Sequence, residues 1–181
     1  MALKATIFKA QIGIADMERG YYGDHALTLA RHPSETDERL MLRIAAFALN
    51  AHERLEFGKG LSDEDEPCLW RKTLTGNIES WIEIGLPDSK RLRKACGRAD
   101  QVTVYAYGRG AEMWWKETGG DLARHANLSV WSLPVEASKT LAELADRNMR
   151  LQFTLQEGVM FVTDEKRSVQ LEPQLLKRAA P

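Results

Sequence analysis

Residues 78–85 read Ile-Glu-Ser-Trp-Ile-Glu-Ile-Gly, and the two segments that follow them limit the folds open to this chain. Alternation predicts a strand with Ile78, Ser80, Ile82 and Ile84 on one face and Glu79, Trp81, Glu83 and Gly85 on the other. Pro87 breaks the strand, and Asp88 is placed to cap a helix running to about residue 99. An apolar strand over 102–107 comes next. Strand, helix and strand in this order predict a parallel crossover, which neither an all-helical chain nor a simple meander contains. The expected class is α/β (α+β), a mixed β-sheet flanked by helices.

The flanking segments extend this plan. Thr6, Phe8, Ala10, Ile12 and Ile14 alternate with Lys9, Gln11 and Gly13, a turn follows at 16–20, and residues 21–30 return as a second strand, giving an N-terminal hairpin. Ser34 is placed as a helix N-cap, with Glu35 and Asp37 in the first turn. The stripe Leu40, Met41, Ile44, Phe47, Ala48, Ala51 and Leu55 predicts a helix to about Phe57, ending at Gly58. Its polar face carries Glu35, Arg39, Arg43 and Arg54. Further on are an acidic loop at 62–67, a short strand at 68–74, a short helix at 111–118 and a strand at 128–133. Pro134 starts a helix to about residue 147, and a hairpin joins 151–155 to 159–162. The tail after Pro173 is expected to fray.

At 181 residues the chain is expected to form one domain over 1–181. An apolar fraction of 44% excludes intrinsic disorder. Lys plus Arg number 25 against 26 Asp plus Glu, which excludes a polybasic protein held to nucleic acid by bulk charge. No run is long enough to span a membrane, and the alternating residues 1–14 do not resemble a signal peptide. Two cysteines, Cys68 and Cys96, suit a reduced, cytoplasmic setting.

Several chemistries lack their residues. There is no G-x-S-x-G elbow, P-loop or H-E-x-x-H. Tyr107-Gly108-Arg109-Gly110 lacks the third glycine of a dinucleotide fingerprint and reads as a turn. His25, His32, His52, His125 and the two cysteines have no zinc spacing. The acidic run 63–66 lacks the spaced oxygens of a calcium loop and reads as solvated. Pro87-Asp88-Ser89-Lys90 spells a nuclease-like string, but strand breaker and N-cap already explain it.

Glu79 and Glu83 carry more information. On a strand covered by helices, two carboxylates are costly unless they are paired or bind a cation. Pairing with arginines such as Arg39 or Arg43, or an outward face on an edge strand, competes with an oxygen site for Mg2+ or Mn2+. Arg91, Arg93 and Lys94 on the next helix form either a solvated basic face or a set of phosphate contacts. Trp70, Trp114 and Trp115 are either core and rim or an exposed patch for a protein partner.

ALKATI (2–7), LTLARHPSETDERLMLRI (27–44), IESWIEIGLPDSKRLRKA (78–95) and ANLSVW (126–131) lie in order along the chain and resemble the YaeQ family of bacterial proteins. The resemblance implies a restriction-endonuclease-like core of the PD-(D/E)xK type, with added N- and C-terminal β-hairpins. Its (D/E)-x-K element falls on Glu83-Ile84-Gly85, with glycine where lysine belongs and Lys94 as a migrated lysine. Glu79, or else Glu66, would be the preceding acidic ligand, and Glu35 the additional helix carboxylate. Such a site implies Mg2+ (or Mn2+) held by Glu83, Glu79 and Glu35, with Lys94 orienting the attacking water. The expected function is a metal-dependent nuclease acting on nucleic acid phosphodiesters, without membrane contact. The competing reading is a non-catalytic nucleic-acid- or protein-binding regulatory module that uses these carboxylates in ion pairs.

Overall fold

The computed structural model describes residues 4–181 apart from residues 60 and 62, so part of the acidic loop, Ser62, lies outside the described residues. In chain order the elements begin β1 (Thr6–Asp16), β2 (Tyr21–Arg31), α1 (Asp37–Leu49), β3 (Leu55–Phe57), β4 (Leu69–Lys72) and β5 (Ile78–Ile84). Next come α2 (Ser89–Arg98), β6 (Ala99–Ala106), α3 (Ala111–Leu122), β7 (Leu128–Ser132) and α4 (Val135–Ala142). The chain closes with β8 (Asn148–Gln156), β9 (Val159–Thr163), β10 (Ser168–Leu171) and β11 (Gln174–Lys177). The class is the expected mixed α+β, with two mixed sheets and, among the described residues, four helices. Two compact units share the chain: Met1–Ala51 with Glu136–Glu172, and His52–Val135 with Pro173–Pro181.

The first unit is built on a five-stranded sheet of order β10-β9-β8-β1-β2. Phe8, Ala10, Ile12 and Ile14 of β1 are buried, as the alternation requires. β1 pairs antiparallel with β2 from Thr6↔Arg31 to Asp16↔Tyr21, and parallel with β8 from Lys9↔Asn148 to Asp16↔Leu155. The two hairpins expected at opposite ends of the chain are therefore joined edge to edge. β8 supplies its own buried alternation, Met149, Leu151, Phe153 and Leu155, to the same apolar layer.

The first helix corrects the expected boundaries. Its N-cap is Thr36, whose hydroxyl accepts from the Arg39 amide at 3.1 Å, whereas Ser34 is engaged by His32 Nδ1 at 2.6 Å. The helix ends at Leu49, not near Phe57. Asn50 donates from its side chain to Ala46 O at 2.8 Å and from its amide to Ala46 O and Phe47 O, which satisfies the last carbonyls. Leu55 extended the helical spacing by coincidence and belongs to β3. α4 likewise stops at Ala142, where tight turns from Leu141 to Leu144 and from Ala142 to Ala145 replace the helix.

The second unit holds the six-stranded sheet β11-β7-β6-β5-β4-β3. β5, β6 and β7 are parallel, with α2 and α3 as crossovers, and β4 and β3 continue antiparallel. Trp81, Leu92, Val102, Val104, Leu128 and Val130 belong to its core. Trp114 is inside that core, and Trp70 and Trp115 pack against it, which removes the basis for a tryptophan patch. The tail expected to fray is ordered. β11 pairs antiparallel with β7, Leu176 packs on the core, and Lys177 Nζ donates to His125 O at 2.8 Å and Leu128 O at 3.0 Å. Among the described residues no helix is long and apolar enough to cross a membrane.

Candidate functional site

The middle of β5 places Trp81 and Glu83 on one face, two residues apart, and both are buried. Glu83 is only 4% exposed, so its charge needs partners. It has them. Trp81 Nε1 and Arg91 Nε each donate to Glu83 Oε1 at 2.8 Å, and the Cys68 thiol lies 4.0 Å from Oε2. Arg91 is aimed by the start of α2, where the Asp88 carboxylate caps the helix by accepting the Arg91 amide at 2.7 Å.

Glu79, four residues earlier on the same strand, has different partners. Arg71 Nε lies at 2.8 Å and Arg54 Nη2 at 3.0 Å from its Oε2. These side chains are a quarter to a third exposed, so the cluster is wetter than the one at Glu83. Lys94 forms an ion pair with Asp65, and both side chains are more than half exposed. That hydrogen bond and the attraction of Lys94 hold the Asp65 carboxyl below the ordinary carboxylate value. Glu66 accepts the Lys59 amide at 2.9 Å.

Glu35 belongs to the first unit. It precedes the Thr36 cap and so stands just ahead of α1, not in its first turn. Its buried carboxylate is paired with Arg39 and, at 2.6 Å, with Arg43, which also donates to Ala30 O. Arg39 and Arg43, expected as partners of Glu79 and Glu83, are thus the partners of Glu35.

Gly85 explains the missing lysine of the Glu83-Ile84-Gly85 element. Its φ is +116°, and its amide donates to Tyr105 O at 3.0 Å. A residue with a Cβ is strained in that conformation, so a lysine there would fight the backbone.

The donor set can be tested against a divalent ion. Mg2+ requires near-octahedral oxygen ligands drawn from carboxylates free to face it. Glu35, Glu79 and Glu83 each already face guanidinium groups. Among the described residues no group of three or more His, Cys, Asp or Glu is placed to hold a metal ion. As arranged, the described residues do not fit Mg2+ or Mn2+.

What the second unit does present is basic surface. Lys90, Arg93, Lys94 and Arg98 of α2 are exposed. Arg93, Arg124 and Lys177 act together on His125, whose pKa is pushed down first by burial and then by these three charges. His125 Nε2 is buried without a hydrogen-bond partner. The sequence reading passed over both the Arg91–Glu83 pair and the His125 surroundings. Arg91 and Lys94 read as part of one basic helix, but nothing local tells which acids they meet.

A family model described as YaeQ protein matches residues 1–173. The YaeQ protein of Salmonella typhi is 48% identical over 173 residues, covering 95% of this chain and 96% of that protein. That of Escherichia coli (strain K12) is 46% identical over 172 residues, covering 94% and 95%. The crystal structure of YaeQ protein from Xanthomonas axonopodis pv. citri superposes with a TM-score of 0.93 at 48% identity, covering 98% of this chain and 99% of that one. The crystal structure from Pseudomonas syringae also gives 0.93, at 34% identity and with coverage of 96% and 97%.

Proposed function

The chain belongs to the YaeQ family, and from that premise we propose that it is a non-catalytic module that binds nucleic acid through the basic surface of its second unit. The observation that carries this reading is the Glu83–Arg91 pair. The carboxylate at the centre of the nuclease-like element is buried at 4% exposure and closed by a guanidinium. A metal-dependent phosphodiesterase needs that carboxylate on its ion. Here it holds α2 against β5 and so aims the helix's basic side chains outward.

The restriction-endonuclease-like core implied by the resemblance is part of this proposal. It is supported by the order β4, β5, α2 and β6, with β5 and β6 parallel. On such a scaffold, the exposed Lys90, Arg93 and Arg124 would neutralise backbone phosphates, making binding steeply salt-dependent and tolerant of sequence. The reduced thiols of Cys68 and Cys96 suit action in the cytoplasm.

The test is fluorescence anisotropy with labelled single-stranded DNA and RNA over a salt series, beside a cleavage assay in Mg2+ and Mn2+. Affinity should fall linearly on a log–log plot and weaken in Arg93→Gln and Arg124→Gln, with the oligonucleotides intact. Metal-dependent cleavage abolished by Glu83→Gln would sink the proposal, as would absence of binding at low salt.

A further inference from the structure

We propose that the acidic loop 63–66 lies on α2 as a built-in stand-in for a nucleic-acid backbone, covering a phosphate-docking ridge made by Arg91, Lys94 and Arg98. The inference deepens the nucleic-acid reading above and rests on it. The three cations are spaced i, i+3 and i+7, so they line one face of the helix. At 1.5 Å per residue the ridge is about 10.5 Å long. That length spans about three nucleotide steps of one strand of a duplex at roughly 3.4 Å each.

Oxygens of the loop occupy every position of this ridge. Arg91 Nη1 donates to Glu64 O and Nη2 to Glu66 O, both at 2.9 Å. Lys94 pairs with the Asp65 carboxylate, and Arg98 Nη1 donates to Asp65 O at 3.0 Å. One carboxylate and three backbone carbonyls aimed at ammonium and guanidinium groups present the ridge with a row of oxygen acceptors, as a run of phosphates would.

The contact is built to be exchanged. Its one side-chain ion pair is exposed, Lys94 at 55% and Asp65 at 69%, and such pairs contribute little against solvent and salt. The ends of the loop, by contrast, are held. The Gly58 amide donates to Cys68 O at 2.9 Å, and the Cys68 amide donates to Ile82 O at 3.1 Å. At Gly58 a Cβ would meet Pro67 O at 2.1 Å, so glycine is needed where the strands of this hairpin converge. Lifting residues 63–65 leaves these hairpin contacts, and the Lys59 amide's bond to Glu66, in place. Arg91 would stay in place when they lift, because Glu83 holds its Nε from the buried side. The ridge is therefore preorganised for an incoming anion.

The experiment compares the wild-type chain with a loop-neutral variant, Asp63→Asn, Glu64→Gln, Asp65→Asn and Glu66→Gln, in binding to a labelled oligothymidylate at fixed salt. A control variant removes as many charges elsewhere in the unit, through Asp100→Asn, Glu112→Gln, Glu117→Gln and Asp121→Asn. The loop-neutral chain should bind roughly fivefold tighter than wild type, and the control by much less. In the wild type, saturating oligothymidylate should also expose the bond after Glu64 to cleavage by a glutamate-specific protease; Glu66 is followed by Pro67 and stays uncut. Equal tightening in both variants, or a loop no more cleavable when nucleic acid is bound, overturns the shielding role while leaving nucleic-acid binding standing. Failure of every chain to bind removes both readings. Unfolding curves for each variant confirm that folded proteins are being compared.

Discussion

Arg91 on α2 donates through Nε to Glu83 on β5 at 2.8 Å, a charged contact that adds to the apolar packing of Leu92 with Trp81 in tying the crossover helix to the strand before it. The pair is largely out of solvent, with side-chain exposures of 22% and 5%. Its energetics should therefore differ from those of the more exposed ion pairs, such as those of Glu79.

Arg91→Met removes the cationic partner of the buried Glu83 carboxyl and leaves it Trp81 Nε1 and the Cys68 thiol. The expected loss is about 3–5 kcal/mol in urea unfolding. Glu83→Leu combined with Arg91→Met should recover most of that loss, because a matched apolar pair avoids the desolvation of both charges. A double variant as unstable as the single one would show that the pair matters for something other than its charge.

At Glu79 the same logic gives a small effect. Its arginine partners and the carboxylate are a quarter to a third exposed, so solvent screens the pair. Glu79→Gln should cost less than about 1 kcal/mol. The contrast between the two positions, measured in one buffer, checks whether burial and not charge count sets the ranking.

Restoring the lysine that the nuclease-like element lacks should fail structurally. Gly85→Lys forces a side chain onto a backbone at φ +116°, at an expected cost of about 1–3 kcal/mol. Titration calorimetry of this variant should show no saturable Mg2+ binding, because Glu83 still faces Arg91. In the opposite direction, Gly120 sits within α3 with open space where a Cβ would go, and Gly120→Ala should stabilise by about 0.5–1 kcal/mol. Melting curves distinguish these signs directly.

Acid sensitivity should begin before the carboxylates titrate. His25, His52 and His125 are each pushed below their ordinary value of 6.5, in every case first by burial. Below that value the unfolded chain takes up protons that the folded chain resists, so stability is full above about pH 6.5 and declines as the pH falls. It levels off once the folded histidines also protonate. Unfolding midpoints taken between about pH 8 and pH 5 should slope downward toward acid, and less steeply in His125→Gln. A flat profile over that range would contradict the assignment.

Elements whose causes lie within a few residues were legible in the sequence. The strand over 78–84 and the Asp88 cap of α2 are written in alternation and in a proline–aspartate break, and the parallel crossover follows from their order. The first hairpin is equally local. The reading failed where a spacing had two explanations. Leu55 continues the i, i+4 stripe of α1 yet opens a strand, because Asn50 had already capped the helix with its own amide. The tail held too few apolar residues to predict order, and gains it from β7, more than forty positions upstream.

Alternation and residue type decided that Glu79 and Glu83 would need compensation, since carboxylates on a covered strand are too costly to leave unpaired, whereas the burial of Glu35 came from tertiary structure. Which groups compensate them was decided only by tertiary structure. Arg91, Arg54 and Arg71 reach the β5 carboxylates, and Arg39 and Arg43 are committed to Glu35. The parallel joining of β1 to β8 is of the same kind. Alternation and capping act through neighbours along the chain, whereas a charge acts on whatever folding brings within a few ångströms, and folding selects that neighbour from the whole chain.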